Sequence, residues 1–153
     1  EVMKWRFVEP QDYEWVIAAS KNHHKESDWS EVEYNDVKAK QYFDVAITDP
    51  NYFAILVKKG DKRIGFMAGR ILEYSYSYET FAKELELYVD PKHRNGMAGI
   101  FMMKKFMDWA KIKGVREVLF EPRLSDNAVK KFDAMAKRLG MEHFANAYRR
   151  KFV

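Results

Sequence analysis

The stretch from Glu84 to Ala110, ELELYVDPKHRNGMAGIFMMKKFMDWA, reads as a strand, a basic glycine-containing turn and an amphipathic helix in direct succession. Residues 84 to 89 alternate, which places Leu85, Leu87 and Val89 on one face of a strand and Glu84, Glu86 and Tyr88 on the other. Pro91 ends that strand, since it has no N–H to give to a ladder. Gly96 and Gly99 then bracket Met97 and Ala98 where a helix begins, and its apolar residues include Ile100, Phe101, Met103, Phe106, Met107 and Ala110. A strand that feeds a glycine turn at a helix N-terminus makes an anion site. The first N–H groups of the helix have no internal acceptor, and the helix dipole favours negative charge there.

The run Leu87-Tyr88-Val89-Asp90-Pro91-Lys92-His93-Arg94-Asn95-Gly96-Met97-Ala98-Gly99 resembles the acetyl-CoA-binding motif of the GNAT superfamily of N-acetyltransferases. That motif is Arg or Gln, two residues, Gly, one residue, then Gly or Ala, after a strand ending in Val-x-Pro. Gly96 and Ala98 fit the two small positions and put His93 where Arg or Gln is usual; starting at Arg94 puts Met97 and Gly99 in those places. Both registers stay open.

The resemblance implies acetyl-CoA as cosubstrate. Its thioester and pantetheine would meet the backbone of Leu87, Tyr88 and Val89, on a strand that bulges and splays from its neighbour. The pyrophosphate would lie on the amides of Arg94, Asn95, Gly96, Met97, Ala98 and Gly99, with the side chain of His93 or Arg94 alongside, and Asn127 would hold the pantetheine arm. In some members of the family a Glu five residues before the strand's Val is the general base. Glu84 holds that position, with Glu86 as runner-up on the same face of the alternation; the competing reading makes both ordinary solvent-facing carboxylates.

Around this centre the chain reads in order. Lys4 to Val8 is a first strand, and Pro10 opens a helix with Trp15, Val16 and Ala19 on its apolar side. Ser20 to Ser30 is polar and reads as a loop. Its adjacent His23 and His24 lack the carboxylate or thiol pattern of a metal site, and no metal is expected. A second helix spans about Glu33 to Ile47 and stops before Asp49-Pro50. Tyr52 to Val57 and Arg63 to Glu73 are strands joined by a hairpin through Gly60. Tyr74, Tyr76 and Tyr78 alternate with serines, either as a hairpin arm or as an aromatic lining for an acceptor. Gly114 ends the central helix, Val115 to Glu121 is a fifth strand, and Ala128 to Leu139 is a helix closed by Gly140. The helix and its Gly140-Met141 end partly match the second GNAT motif, but Ala136 stands where that motif has a Tyr. A final strand spans Glu142 to Phe152; in the resembled family that Tyr often protonates the leaving thiolate, and Tyr148 is a candidate substitute for it.

The order β-α-α-β-β-β-α-β-α-β predicts an α/β (α+β) fold with helices on both faces of a mixed sheet. The resemblance implies a mostly antiparallel twisted sheet of six to seven strands, splayed between the fourth and fifth. One domain over residues 1–153 fits the length and the 47% apolar content. A Rossmann fingerprint fails on glycine spacing, and a Walker loop fails because Gly-Lys-Ser/Thr is missing.

There is no cysteine, which removes disulfides and thiolate catalysis and fits a reducing compartment. No apolar run reaches the roughly 18 residues of a membrane span, so a cytoplasmic protein without a membrane partner is expected. The net charge of +4 is spread among both signs, and without a basic stripe interleaved with aromatics nucleic acid is not an expected partner. The expected activity is N-acetyl transfer to a small-molecule or peptide amine by direct attack in a ternary complex. A non-catalytic acyl-CoA-binding or regulatory module on the same fold is the alternative, and monomer and homodimer both stay open.

Overall fold

A computed structural model of the chain describes residues 2–122 and 126–153, the side chains of Asp126 and Asn127 excepted. Strand β1 (Met3–Phe7) leads through a 3-10 turn at Pro10–Asp12 into helix α1 (Tyr13–Glu26), followed by α2 (Asp36–Thr48). Three strands come next, β2 (Tyr52–Lys59), β3 (Lys62–Glu73) and β4 (Thr80–Val89). Helix α3 (Ala98–Ile112), the short strand β5 (Val118–Leu119) and helix α4 (Asp126–Arg138) complete the order.

The sheet order is β1-β2-β3-β4-β5, antiparallel except for the parallel β4–β5 pair. Strand β2 reads Phe53-Ala54-Ile55-Leu56-Val57 without a polar residue because both its faces are covered. Phe53, Ile55 and Val57 join Met67, Met102 and Phe106 under α3, whereas Ala54 and Leu56 join Val16, Phe43 and Phe66 under α1 and α2. The 3-10 turn is tied to the sheet through Asp12, which is fully buried yet doubly compensated. Burial would raise its carboxyl, but hydrogen bonds from Arg6 (2.5 and 2.7 Å), Glu9 N–H (2.9 Å) and Arg63 (3.0 Å) hold it below the usual carboxylate range.

Three expectations are corrected. The polar stretch from Ser20 is not a loop, since α1 runs on through both histidines to Glu26. No Gly or Pro interrupts it, and Ser20 turns its hydroxyl back onto Ile17 O (2.9 Å). The sheet among the described residues has five strands rather than six to seven, because residues 142–153 form no strand. Gly140, at φ +74°, turns the chain off α4. In the segment after it Phe144, Tyr148 and Phe152 recur every fourth residue, so a strand would interleave them with Asn146 and Arg150 and present no continuous apolar face. The segment instead reaches back to the loop after α1, where Arg149 meets Asp28 (3.6 Å) and Lys151 meets Glu31 (3.2 Å).

The third correction concerns β4. Glu86 pairs with Ala68 and Glu84 with Gly69, so Leu85 is an extra residue on β4, a bulge. Paired residues share a face. Leu87 and Glu84 therefore stand on the α3 side with Met67 and Gly69, while Glu86 and Tyr88 stand on the α1/α2 side with Ala68 and Phe66. The two glutamates face opposite ways, not the same way.

Candidate active site

Strand β4 pairs with β5 only at Ala82↔Val118 and Lys83↔Leu119. Beyond Leu119 the fifth strand gives way to Phe120, whose ring packs against Phe106 and Phe132, and to Pro122, which has no N–H to continue a ladder. Among the described residues, the edge of β4 that faces β5 therefore has no strand partner from Glu84 to Val89. The two strands part at the bulge, and a cleft of about 660 Å³ opens between them.

One wall of this cleft is β4, with Glu84, Leu87, Tyr88 and Val89. At one end it meets the start of α3, where Gly96, Met97, Gly99 and Ile100 line it. No side chain caps this helix, and Phe101 is the first residue whose N–H finds an acceptor one turn back, Met97 O at 2.9 Å. The N–H groups of Ala98, Gly99 and Ile100 precede that bond and have no acceptor in the preceding turn, which leaves them for an anion. Gly96 belongs to the approach, and a Cβ placed there would meet nothing closer than His93 O at 3.6 Å.

Helix α4 is the opposite wall. Its Ala128, Phe132 and Met135 recur at helical spacing and face the cleft, and Lys131 and Arg138 bring two cations to the same lining. Those cations lay outside the sequence reading, although the seven-residue interval that joins Lys131 to Arg138 puts them on one helix face. Helix α1 adds His23 and Glu26, neither of them expected, since that stretch was read as a loop.

Arg94 does not point freely into the cleft. Its Nη2 donates to Glu26 Oε1 (2.8 Å), its Nη1 lies 2.7 Å from Glu26 Oε2, and its Nε donates to Val89 O (2.7 Å). The guanidinium also lies 5.3 Å from the centre of the Tyr88 ring. The hydrogen bond to Glu26 holds the Arg94 pKa above its ordinary value. His93, the other residue expected beside a pyrophosphate, ends the 3-10 turn at Pro91–His93 and is not among the cleft lining; Asn95, in the turn that leads from Arg94 to α3, is likewise outside the lining.

Of the two carboxylates, Glu84 is buried and lines the cleft. Glu86 lies on the other side of the sheet between α1 and α2. Its Oε1 is 3.9 Å from His23 Nδ1, and Tyr42 buries its hydroxyl beside it. Burial, followed by the nearby Glu84, pushes the Glu86 carboxyl up to about 8, and burial pushes the His23 imidazole down. Both shifts act toward the neutral forms and so work against an ion pair at this contact.

Tyr74, Tyr76 and Tyr78 are in the turn between β3 and β4 and line no part of the cleft; Tyr74 bonds Glu117. Tyr148 is exposed and is also outside the lining. Asn127 falls in the first turn of α4, but the expected contact of its side chain lies outside the described residues. Among the described residues no three His, Asp or Glu side chains gather to hold a metal, and no helix is long and apolar enough to cross a membrane.

The acetyltransferase (GNAT) family model matches residues 10–140 of this chain. The chain belongs to the GNAT acetyltransferase family. No curated protein matches it in sequence. Among solved structures it is similar to a transcriptional regulator from Bacillus halodurans C-125, at 15% identity with TM-score 0.79, covering 99% of this chain and 100% of that one. It is also similar to a predicted acetyltransferase from Clostridium acetobutylicum determined with acetyl-CoA, at 13% identity with TM-score 0.77, covering 98% and 96%. A third is an aminoglycoside acetyltransferase from an uncultured soil metagenomic sample in complex with sisomicin, at 17% identity with TM-score 0.72, covering 97% and 96%. At these identities the likeness is one of fold. In this GNAT chain the cleft lies beside the loop between β4 and α3.

Proposed function

We propose that this GNAT protein is an acetyl-CoA-dependent N-acetyltransferase that acetylates a primary amine by direct attack in a ternary complex. The observation that carries the reading is the cleft itself. It brings an anion-ready helix end, the open edge of β4 and the carboxylate of Glu84 into one continuous lining. The polyphosphate end of acetyl-CoA would sit on the amides at the start of α3, with Lys131 and Arg138 across the cleft. The pantetheine amides would complete the β4 edge that β5 leaves. One β4 N–H near Tyr88 or Val89 would then polarise the thioester carbonyl.

In the reaction the amine lone pair attacks the thioester carbon, the C–S bond breaks, and the nitrogen gives up a proton. A lysine-like amine has a pKa of about 10.4 and is mostly protonated at neutral pH, so a carboxylate beside the acceptor has a task. Glu84 is the group we assign to it, because it lines the cleft and Glu86 does not. The acceptor is a small-molecule or peptide amine; the aminoglycoside acetyltransferase with this fold acts as precedent for a small polyamine-like acceptor.

A second reading, a non-catalytic acyl-CoA-binding or regulatory module, is favoured by one observation. Ala136 of α4 stands where the family's second motif supplies a Tyr to protonate the leaving thiolate. Release of free thiol from acetyl-CoA over a panel of amines separates the two. Amine-dependent thiol release supports the enzyme, whereas CoA binding with no thiol release above background under any amine supports the module.

A further inference from the structure

We propose that Glu26 is a positioning residue for the phosphate-binding loop and acts through Arg94. The proposal rests on the function assigned above to the cleft. Glu26 is the last residue of α1, and the Arg94 guanidinium binds its carboxylate through both terminal nitrogens (2.7 and 2.8 Å) while Nε holds Val89 O (2.7 Å). One planar group thus joins the end of β4, the turn that enters α3 and the end of α1. Exposed ion pairs are generally weak, and a bidentate Arg–carboxylate pair with a third fixed bond is the recognised exception.

Glu26 stands where two local effects disfavour a carboxylate. It occupies the C-terminal turn of a helix, where the dipole repels negative charge. It also lines a cleft in which Glu84 and Glu121 already supply carboxylates, while the groups that suit a polyphosphate are Lys131 and Arg138 on α4. Neither α1 nor phosphate binding gains from a negative charge here, so what the carboxylate contributes is the grip on Arg94. The loop from Arg94 to Gly99 is then held in its binding shape before the cofactor arrives, and the ordering cost is not charged to binding.

The two possible roles of Glu26 have opposite signs, which makes them separable. Electrostatics alone predicts that Glu26→Gln tightens CoA binding, because it deletes a negative charge and frees Arg94 to reach a phosphate. The positioning role predicts weaker binding, by roughly tenfold, the equivalent of ordering one or two side chains or a short loop. Calorimetry with CoA on the wild type, Glu26→Gln and Glu26→Asp should give that loss, with Asp intermediate because it keeps the charge on a shorter arm. Arg94→Lys should reproduce the Gln variant, and the double variant should be no worse than either single one, as for two residues in one interaction.

Hydrogen exchange without any ligand provides the independent measurement. The hydrogen-bonded amides of the turn that enters α3, those of His93, Gly96 and Phe101, should exchange several-fold faster in Glu26→Gln while those of β2 and β3 stay unchanged. Unchanged or tighter CoA binding by Glu26→Gln, or unchanged exchange at the amides of His93, Gly96 and Phe101, overturns the proposal. If the wild type binds no CoA, the acetyltransferase reading fails, and the exchange result still decides the role of Glu26.

Discussion

Glu84 and Glu86, two residues apart on one strand, point to opposite faces of the sheet because Leu85 bulges out of the ladder between them. The bulge does two things with one residue. It carries Glu86 into the helical side against His23 and Tyr42, and it leaves Glu84 in the lining of the cleft where β4 leaves β5. Neighbouring carboxylates on one strand thereby acquire different environments, and they should answer mutation differently.

Glu84→Gln keeps shape and hydrogen-bonding capacity but cannot accept a proton from an ammonium. Turnover of acetyl-CoA with a lysine-like amine should fall by about 10²-fold or more at neutral pH, the usual scale for a general base. CoA affinity by calorimetry should hold. Raising the pH should restore part of the rate as more of the amine becomes neutral unaided, whereas loss of an acceptor contact would instead raise KM with kcat kept. Full activity of Glu84→Gln across the pH range would remove Glu84 from the mechanism.

Glu86→Gln should show itself in stability. With its folded pKa pushed up to about 8 from an ordinary 4.5, Glu86 stays protonated in the folded protein while the unfolded chain ionises. Between those two values the folded state binds more protons, so stability falls as pH rises, by at most about 1.4 kcal/mol per pH unit. Below pH 4.5 the group contributes no slope, and above about 8 the loss is complete. Urea titrations from pH 4 to 9 should show a shallower decline for Glu86→Gln than for the wild type. Parallel curves would mean that Glu86 titrates normally.

The fold was legible wherever the chain punctuates itself. Pro91, Gly114 and Asp49-Pro50 bound their elements, and the doubly apolar β2 and the stripe of α3 name the core without ambiguity. The bulge was not legible, because alternation counts residues and a bulge adds one without changing residue types; Glu86 was thus assigned to the face of Glu84. His23 and Glu26 were missed for a different reason. Polar residues in the last turns of a helix look like loop in composition, and only the Arg94 contact shows that the turn is held. The tail misled through its aromatic content, which resembles a strand until the four-residue spacing is set against the period of two.

Gly69 faces Glu84 across the ladder, and its missing side chain makes room for a ring. A Cβ there would lie 2.7 Å from Phe106 Cζ and 3.0 Å from Lys83 O. Phe106 has little freedom to move, since it is fully buried and stacked on Trp109, with Phe53 and Phe120 against it. Gly69→Ala should therefore destabilise the protein by about 1–3 kcal/mol, the range for overpacked cores. Chemical denaturation should also find Gly69→Ala/Phe106→Leu less destabilised than the sum of its parts, because the smaller side chain gives back the space. Strict additivity would mean that the added methyl meets something other than Phe106.

Gly96 provides the sharpest test of the loop. A side chain there would meet only His93 O at 3.6 Å, an ordinary contact, and its φ is not in the left-handed region that favours glycine. Gly96→Glu should therefore fold, with a melting temperature close to that of the wild type. Its side chain, however, would enter the lining of the cleft beside the N–H groups of Ala98 to Ile100, bringing a carboxylate to the place assigned to the pyrophosphate. Bulk and charge act in the same direction, and CoA binding should fall below detection by calorimetry. Gly96→Ala separates the two contributions. It adds volume without charge, and its CoA affinity should lie between those of the wild type and Gly96→Glu. A folded Gly96→Glu protein that binds CoA as the wild type does would place the phosphates elsewhere on the surface. The cleft between β4 and α4 would then lose its role as the cofactor site.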